Sequence, residues 1–335
     1  MNFSIQRYLG LLLGLLMAGV AYGQGNTASW PQKPIRWVIP YTPGGLTDSV
    51  TRMTLQKLQE NTGWTIVLDN KPGANSLLGS ELVARAQPDG YTFLTVLAAH
   101  AANATLYAGR TSFDPVKSFA PVSLVGTTPL ILTASNDFPA KNVKELIDYA
   151  KANPNKVSFG SSGIGAAAHL TSEFLKLQTN TQMVHVPYKG TAPALQDLIG
   201  NSIQILVDTP VSLMPHVRSG KIKALGMFSS KRIPSAPEVP TLAEAGGPPL
   251  DSSTWVLFLA PVGVPKEIVQ RVSQETSRAL QSADLRARFD ALGLDPVGST
   301  PDQASLFLQD EIAKWSKVIS AAGRSEEHTS ELQSH

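Results

Sequence analysis

The stretch IRWVIPYTPGGLTDSVTRMTLQKLQE, residues 35–60, decides the fold. It opens with an apolar run at 35–40 that reads as a strand, turns through Pro43, Gly44 and Gly45, and continues over 47–60 with a helical pattern. The two glycines let the backbone turn sharply and present N–H groups, while Thr47 or Asp48 is placed to cap the helix, whose N-terminus attracts anions. The same alternation runs outward from this unit, with a strand at 64–69, a helix at 77–86 and a strand at 91–98. It resumes at 130–134, 143–152, 157–159, 166–178, 182–186, 193–199, 203–208 and 222–228. Strand and helix in strict alternation predict parallel α/β sheets, here two of them. A Pro-, Ser- and Gly-rich connection at 229–247 leads to an apolar run at 255–260, a helix at 266–282 and a final helix near 301–322. The chain therefore builds one α/β lobe, then a second, then returns to complete the first, and a cleft between lobes is where such folds bind ligands.

Composition sets the bounds on function. A chain of 335 residues, 42% hydrophobic and 16% charged, is long enough for two domains and too apolar for intrinsic disorder. With 28 basic and 26 acidic side chains the net charge is +2, too small and dispersed for a phosphate-tracking stripe, so no nucleic-acid partner is expected. The absence of cysteine excludes disulfide frameworks, thiolate metal sites, iron–sulfur clusters and cysteine nucleophiles.

The N-terminus reads as an address. A polar start carrying Arg7 precedes an apolar stretch at 9–20, followed by Ala21-Tyr22-Gly23, small residues where a signal peptidase cleaves. The apolar stretch rises only about 18 Å as a helix, short of a ~30 Å hydrocarbon core, so residues 1–23 are expected to be removed after Gly23 and the rest exported. At the other end, residues 324–335 (RSEEHTSELQSH) lack period and apolar anchor, resemble translated sequencing-adapter read-through, and are read as a non-native tail.

Two further glycine turns repeat the opening design. In Ser158-Phe159-Gly160-Ser161-Ser162-Gly163-Ile164-Gly165-Ala166-Ala167-Ala168-His169, a strand meets a helix through hydroxyls and backbone N–H groups suited to a carboxylate. Gly163, Gly165 and Ala168 match a dinucleotide fingerprint, but the following strand ends at Pro187-Tyr188-Lys189, without the ribose-binding acid that reading needs. Gly190 and Thr191 precede the third helix start, where Pro193 suits a first turn. Nucleophile elbow, phosphate loop and zinc-helix signatures are all missing. His100, His169, His185 and His216 show no metal-ligand spacing. His169 and Glu173, four apart, read mainly as a helix-surface contact, and Asp208 ends an apolar strand either facing the cleft or serving a turn. A hydrolase built on His169 or Asp208 is the enzymatic alternative to a binding protein.

Seven short motifs in order then carry a resemblance: Trp30-Pro31-Gln32-Lys33-Pro34-Ile35-Arg36; Pro43-Gly44-Gly45 with Asp48; Lys71-Pro72-Gly73-Ala74; Pro88-Asp89-Gly90-Tyr91; Gly160 to His169-Leu170; Val186-Pro187-Tyr188-Lys189-Gly190; and Pro240-Thr241. Over about 30–323 the chain resembles the extracytoplasmic solute receptors of tripartite tricarboxylate transporters, the Bug receptors. The resemblance implies a two-lobed periplasmic-binding-protein clam with two crossovers, near 126–128 and 226–229. Lobe one is then 24–127 plus 228–323, and lobe two 128–227. It implies a periplasmic, monomeric receptor without cofactor, metal or catalytic residue, which captures a small organic anion (a di- or tricarboxylate, amino acid or aromatic acid) for a membrane permease. A ligand-sensing subunit for a membrane regulator is the other binding role it allows. The implied ligand contacts are Pro43, Gly44, Gly45, Thr47, Asp48, Ala98, His100, Ser161, Ser162, Gly163, Gly165, Ala166, His169, Tyr188, Thr191 and Asp208. Two positions depart from the pattern: Ala166 stands where Ser or Thr is common, removing a hydroxyl donor, and Asn75 stands where a second glycine is common.

Overall fold

The computed structural model describes residues 29–321, so the expected leader at 1–23 and tail at 324–335 lie outside the described residues. By contacts an N-terminal unit ends at Gln32, and all that follows concerns the unit beginning at Lys33. Strand β1 (Ile35–Ile39) runs parallel to β2 (Ile66–Asn70) and β3 (Thr92–Val96). Against β3 lies β10 (Ser253–Pro261), antiparallel, followed by β4 (Phe119–Pro129) and the short β11 (Asp295–Pro296), giving the order β11-β4-β10-β3-β1-β2. The second sheet has the order β7-β6-β8-β5-β9, from β5 (Ile131–Ser135), β6 (Ser158–Ser161), β7 (Val184–Pro187), β8 (Ile205–Asp208) and β9 (Ile222–Met227). Ten helices among the described residues connect them. They are α1 (Leu46–Thr62), α2 (Leu77–Ala84), α3 (Ala98–Leu106), α4 (Val143–Ala152), α5 (Ala167–Thr179), α6 (Thr191–Ile199), α7 (Pro210–Arg218), α8 (Lys266–Leu280), α9 (Ala283–Ala291) and α10 (Pro301–Ala321).

The sheets are mixed, which corrects the expectation of purely parallel ones. β5 pairs antiparallel with both β8 and β9, and β10 pairs antiparallel with β3 and β4. The cause is the passage between sheets: β4 leaves the first and β5 enters the second with only Leu130 between them, so these strands take the direction of the passage rather than of the βαβ units around them. The return enters β10 at Ser253. At the junction three backbone bonds close a ring: Leu130 N–H to the Ser252 carbonyl (3.1 Å), Ser252 N–H to Phe228 (3.1 Å) and Phe228 N–H to Leu130 (2.9 Å). The intervening segment, placed with the first lobe by the sequence reading, lays Leu242, Ala245 and Leu250 into the core of the second sheet, and Met227 N–H donates to the Pro240 carbonyl (2.8 Å).

The first core is built on aromatic packing and one buried carboxylate. Trp37 on β1 stacks on Phe93 (4.8 Å between centroids), meets Phe258 edge-on (4.6 Å), and donates its indole N–H to Thr95 (2.9 Å). Glu311 of α10, 8% exposed, accepts at one oxygen from the indoles of Trp255 (2.8 Å) and Trp315 (2.9 Å), tying the last helix to the central strand. Helix α5 belongs to both cores, with Leu170 in the first and Ala168 and Leu175 in the second. Its Thr171 hydroxyl lies 2.5 Å from that of Ser252. Among the described residues no helix is long and apolar enough to cross a membrane.

Candidate functional site

Each loop singled out in the sequence follows the C-terminal end of a strand, where α/β sheets present ligand sites. The helices starting there lack side-chain caps: α1 begins after Gly45, α3 after Leu97, α5 after Ala166, α6 after Gly190 and α7 after Thr209, none with a capping hydrogen bond. Helix α4 is capped, the Asn142 side chain accepting from Glu145 N–H, while α2, α8 and α9 also lack side-chain caps, so it is the placement of the site helices that sets them apart. An uncapped first turn leaves backbone N–H donors and the positive end of the helix dipole open to an anion. Thr47 and Asp48, expected to cap α1, lie inside its first turn, because the helix already begins at Leu46.

Asp48 instead holds the loop before it. Its Oδ2 accepts from Gly44 N–H (2.9 Å) and Arg52 Nε (2.8 Å), and its Oδ1 from Asn70 Nδ2 (2.9 Å). Burial alone would raise its carboxyl, but these three donors and the Arg52 charge hold it below the ordinary carboxylate range. Asn70 also donates to the Tyr41 carbonyl (3.1 Å), and the Tyr41 hydroxyl accepts from Leu97 N–H (3.2 Å), joining the α1 and α3 starts. Burial pushes the Tyr41 phenol up to about 12, so it stays protonated. Pro43, Gly44 and Gly45 are exposed, whereas Thr47, Asp48, Ala98 and His100 are buried.

His100 faces the core rather than the loops. Its Nε2 lies 2.8 Å from the Pro115 carbonyl and its ring meets Phe119 edge-on. Burial lowers its pKa to about 4, only partly offset by the Pro115 bond, so it is neutral. An unfolded histidine titrates near 6.5; the neutral folded one therefore costs stability only in acid, its contribution complete above pH 6.5 and lost as the pH falls towards 4. Urea melts at pH 7 and pH 4.5 should show His100→Gln, which keeps a donor for Pro115, losing about 2–3 kcal/mol less than wild type. Equal losses would show that His100 does not titrate this way.

In the second sheet Ser161 is fully buried, its Oγ 2.7 Å from His185 Nε2 and 3.1 Å from the Gly163 carbonyl. His185 is sandwiched between Phe159 (4.8 Å) and His169 (4.1 Å), both near parallel. His169 accepts Gly165 N–H at Nδ1 (3.1 Å), and its Nε2 lies 3.9 Å from Glu173, which Lys176 holds at 2.8 Å. The pair read as a surface contact is thus a buried brace beneath the glycine turn. Gly163 and Gly165 adopt φ of +141° and +77°, Ala166 N–H donates to the Gly163 carbonyl (3.2 Å), and Ser162, Gly163 and Ala166 are half-buried at the turn. Tyr188 N–H donates to the Ser161 carbonyl (3.1 Å), which brings the α6 turn alongside, while the Tyr188 hydroxyl donates to Asp197 (2.5 Å) and is pushed up to about 12 by burial and that carboxylate. Thr191 donates to Asp208 Oδ2 (2.6 Å), and Thr209 N–H to Oδ1 (2.7 Å). Burial raises the Asp208 carboxyl, partly countered by those donors.

The two sheets' loops meet at one point. A Cβ on Gly165 would stand 2.9 Å from Leu106 Cδ1 and 3.1 Å from Asn75 Nδ2, both on first-sheet elements. Asn75 and Asn103 are bonded reciprocally, Asn75 Nδ2 to Asn103 Oδ1 (2.8 Å) and Asn103 Nδ2 to the Asn75 carbonyl (2.8 Å). Asn103, Asn70 and Tyr41 were not singled out as site residues from sequence; the turn at Lys71-Pro72-Gly73-Ala74 and the departure at Asn75 signalled this corner.

Residues 50–324 match the family model described as the tripartite tricarboxylate transporter family receptor. The chain belongs to that family. BugT of Bordetella pertussis is 34% identical over 318 residues, 93% of this chain and 96% of the relative. Among solved structures, the R. palustris protein Rpa4515 with adipate superposes with a TM-score of 0.79 at 33% identity, covering 88% of this chain and 98% of the other. MatC from Rhodopseudomonas palustris with bound malate gives 0.75 at 32%, covering 87% and 100%. The fold is that of the periplasmic binding proteins, and the family is one of solute-binding receptors of tripartite transporters rather than of enzymes.

Proposed function

We propose that this receptor closes its lobes, 24–127 with 228–323 and 128–227, save that the segment up to Ser252 packs with the second, on a small organic dicarboxylate and hands it, unchanged, to a membrane permease. The observation that carries the reading is the set of uncapped helix starts converging from both sheets, with Gly165 against Asn75 and Leu106 where they meet. Recognition of the anion falls to the backbone N–H groups of Gly45, Ser162, Ile164, Gly190 and Thr191 and to the first turns behind them, because the N–H groups of Gly44, Gly163, Gly165 and Ala166 and the carboxylates of Asp48 and Asp208 are already engaged within the protein. Asp48, Ser161, His169 and Asp208 hold those turns in place, and His100 supports the α3 start from the core. The engagement of His169 by Gly165 N–H, and of Asp208 by Thr191 and Thr209, argues against the hydrolase role. Adipate and malate in two relatives support the ligand class. Cleavage after Gly23, delivery into the periplasm and a monomeric state complete the proposal.

Thermal melts against malate, adipate and a panel of tricarboxylic, aromatic and amino acids test it. An acid at about 100-fold its Kd contributes ~2.7 kcal/mol to the folded state, so the melting temperature should rise by roughly 4 °C, with the acid recovered unconsumed. No shift with any acid, or conversion of one of them, would overturn the reading.

A further inference from the structure

The segment before α2 holds a conformation that its residues do not favour. After Gly73 at φ +135°, Ala74 (+46°), Asn75 (+50°) and Ser76 (+74°) follow one another in the left-handed region, three non-glycine residues in succession. L side chains resist this region, Asn least among them, and such runs persist only where the surroundings over-determine them. Here the reciprocal amide pair does so: Asn103, 1% exposed on α3, takes one hydrogen of Asn75 Nδ2 and grips the Asn75 carbonyl. The strained turn thereby fixes where the Asn75 side chain points, towards the Cα of Gly165 on the opposite lobe. Asn75 is half-buried, and among the described residues no protein group bonds its Oδ1 or the second hydrogen of its Nδ2.

We infer that Asn75 is a specificity-determining residue: its fixed amide, with its carbonyl and one N–H open, bonds a hydroxyl or like polar group of the acid seated at the α5 start. The inference rests on the carboxylate reading above. A carboxylate seated on the uncapped α5 start extends towards the first lobe, where the Asn75 amide and the Leu106 side chain already stand against Gly165. A four-carbon acid with a hydroxyl, such as malate, reaches the amide and engages both its N–H and its carbonyl. Adipate has no hydroxyl to offer the amide.

Asn75→Gly tests this, because glycine accepts the left-handed backbone without strain and the variant should fold as the wild type does. Calorimetric titration of wild type and variant with malate and with adipate should show the adipate-to-malate affinity ratio rising at least tenfold in the variant, through the loss of malate affinity. Asn103→Ala, which frees the amide without removing it, should move the ratio in the same direction by less. A ratio within twofold of wild type in Asn75→Gly, its melting temperature preserved, overturns the inference while leaving the receptor reading standing. Wild-type protein that binds neither acid overturns both.

Discussion

Gly165→Ala should lower the affinity for a captured dicarboxylate by 100-fold or more. Gly165 sits at φ +77°, where a Cβ is strained whatever space surrounds it. The space is also taken, by Leu106 Cδ1 at 2.9 Å and Asn75 Nδ2 at 3.1 Å. Leu106 cannot easily withdraw, being packed in the first core, and Asn75 is tethered to Asn103. The added methyl therefore stops the lobes before the helix starts reach the ligand together, and each hydrogen bond to a charged group lost that way removes about 1.5–3 kcal/mol. Two such losses amount to at least ~3 kcal/mol, or more than 100-fold. The methyl sits at the meeting point of the lobes, so circular dichroism should be unchanged. Titration calorimetry with malate or adipate reads the outcome; an affinity within tenfold of wild type would show that close approach at this glycine is not required.

Glu311→Leu should have the largest effect on stability, about 3–5 kcal/mol. The substitution removes the one acceptor shared by the indole N–H groups of Trp255 and Trp315, both fully buried, and each buried donor left unpaired costs about 1–3 kcal/mol. The carboxylate also meets Lys314 at 3.3 Å, so its removal loosens the first-lobe face of α10. Glu311→Gln keeps an acceptor in the same place and should cost far less. Chemical denaturation of the two variants separates these cases: similar losses in both would mean that the charge, not the pairing of the indoles, stabilises the helix.

The functional loops were legible because their chemistry is local. Gly44, Gly163, Gly165 and Gly190 have the positive φ that a glycine in such a turn announces, and α1, α5 and α6 begin within two residues of where the pattern puts them, whereas α3 and α7 were not anticipated. The side chains behind the loops were not, because their partners are distant in the chain or point the other way. Asp48 looks like a cap and instead reaches back to Gly44 and across to Asn70. Ser161, which reads as a ligand hydroxyl, faces His185, 24 residues on. Strand β4 carries Pro121, Pro129 and Gly126, which argue against a central strand. Yet Gly126 is what lets β11 lie against it, since a Cβ there would stand 2.8 Å from the Asp295 carbonyl. Helix α3, almost all small residues, lacks the apolar stripe that marks a helix facing a core.

The ring of backbone bonds joining Leu130, Phe228 and Ser252 governs how the receptor moves. Every N–H in it donates to another member, so the covalent passages between the lobes are fastened to one another instead of acting as independent tethers. Two loose tethers would let the lobes slide, twist and rock; a knot leaves chiefly rotation about itself. Opening then resembles a door on a pin, in which an angular change at the pivot parts the lobes at Gly165 and Asn75. Little orientational freedom remains for a ligand to remove, and nearly all of its differential contact between open and closed forms goes into choosing the closed one.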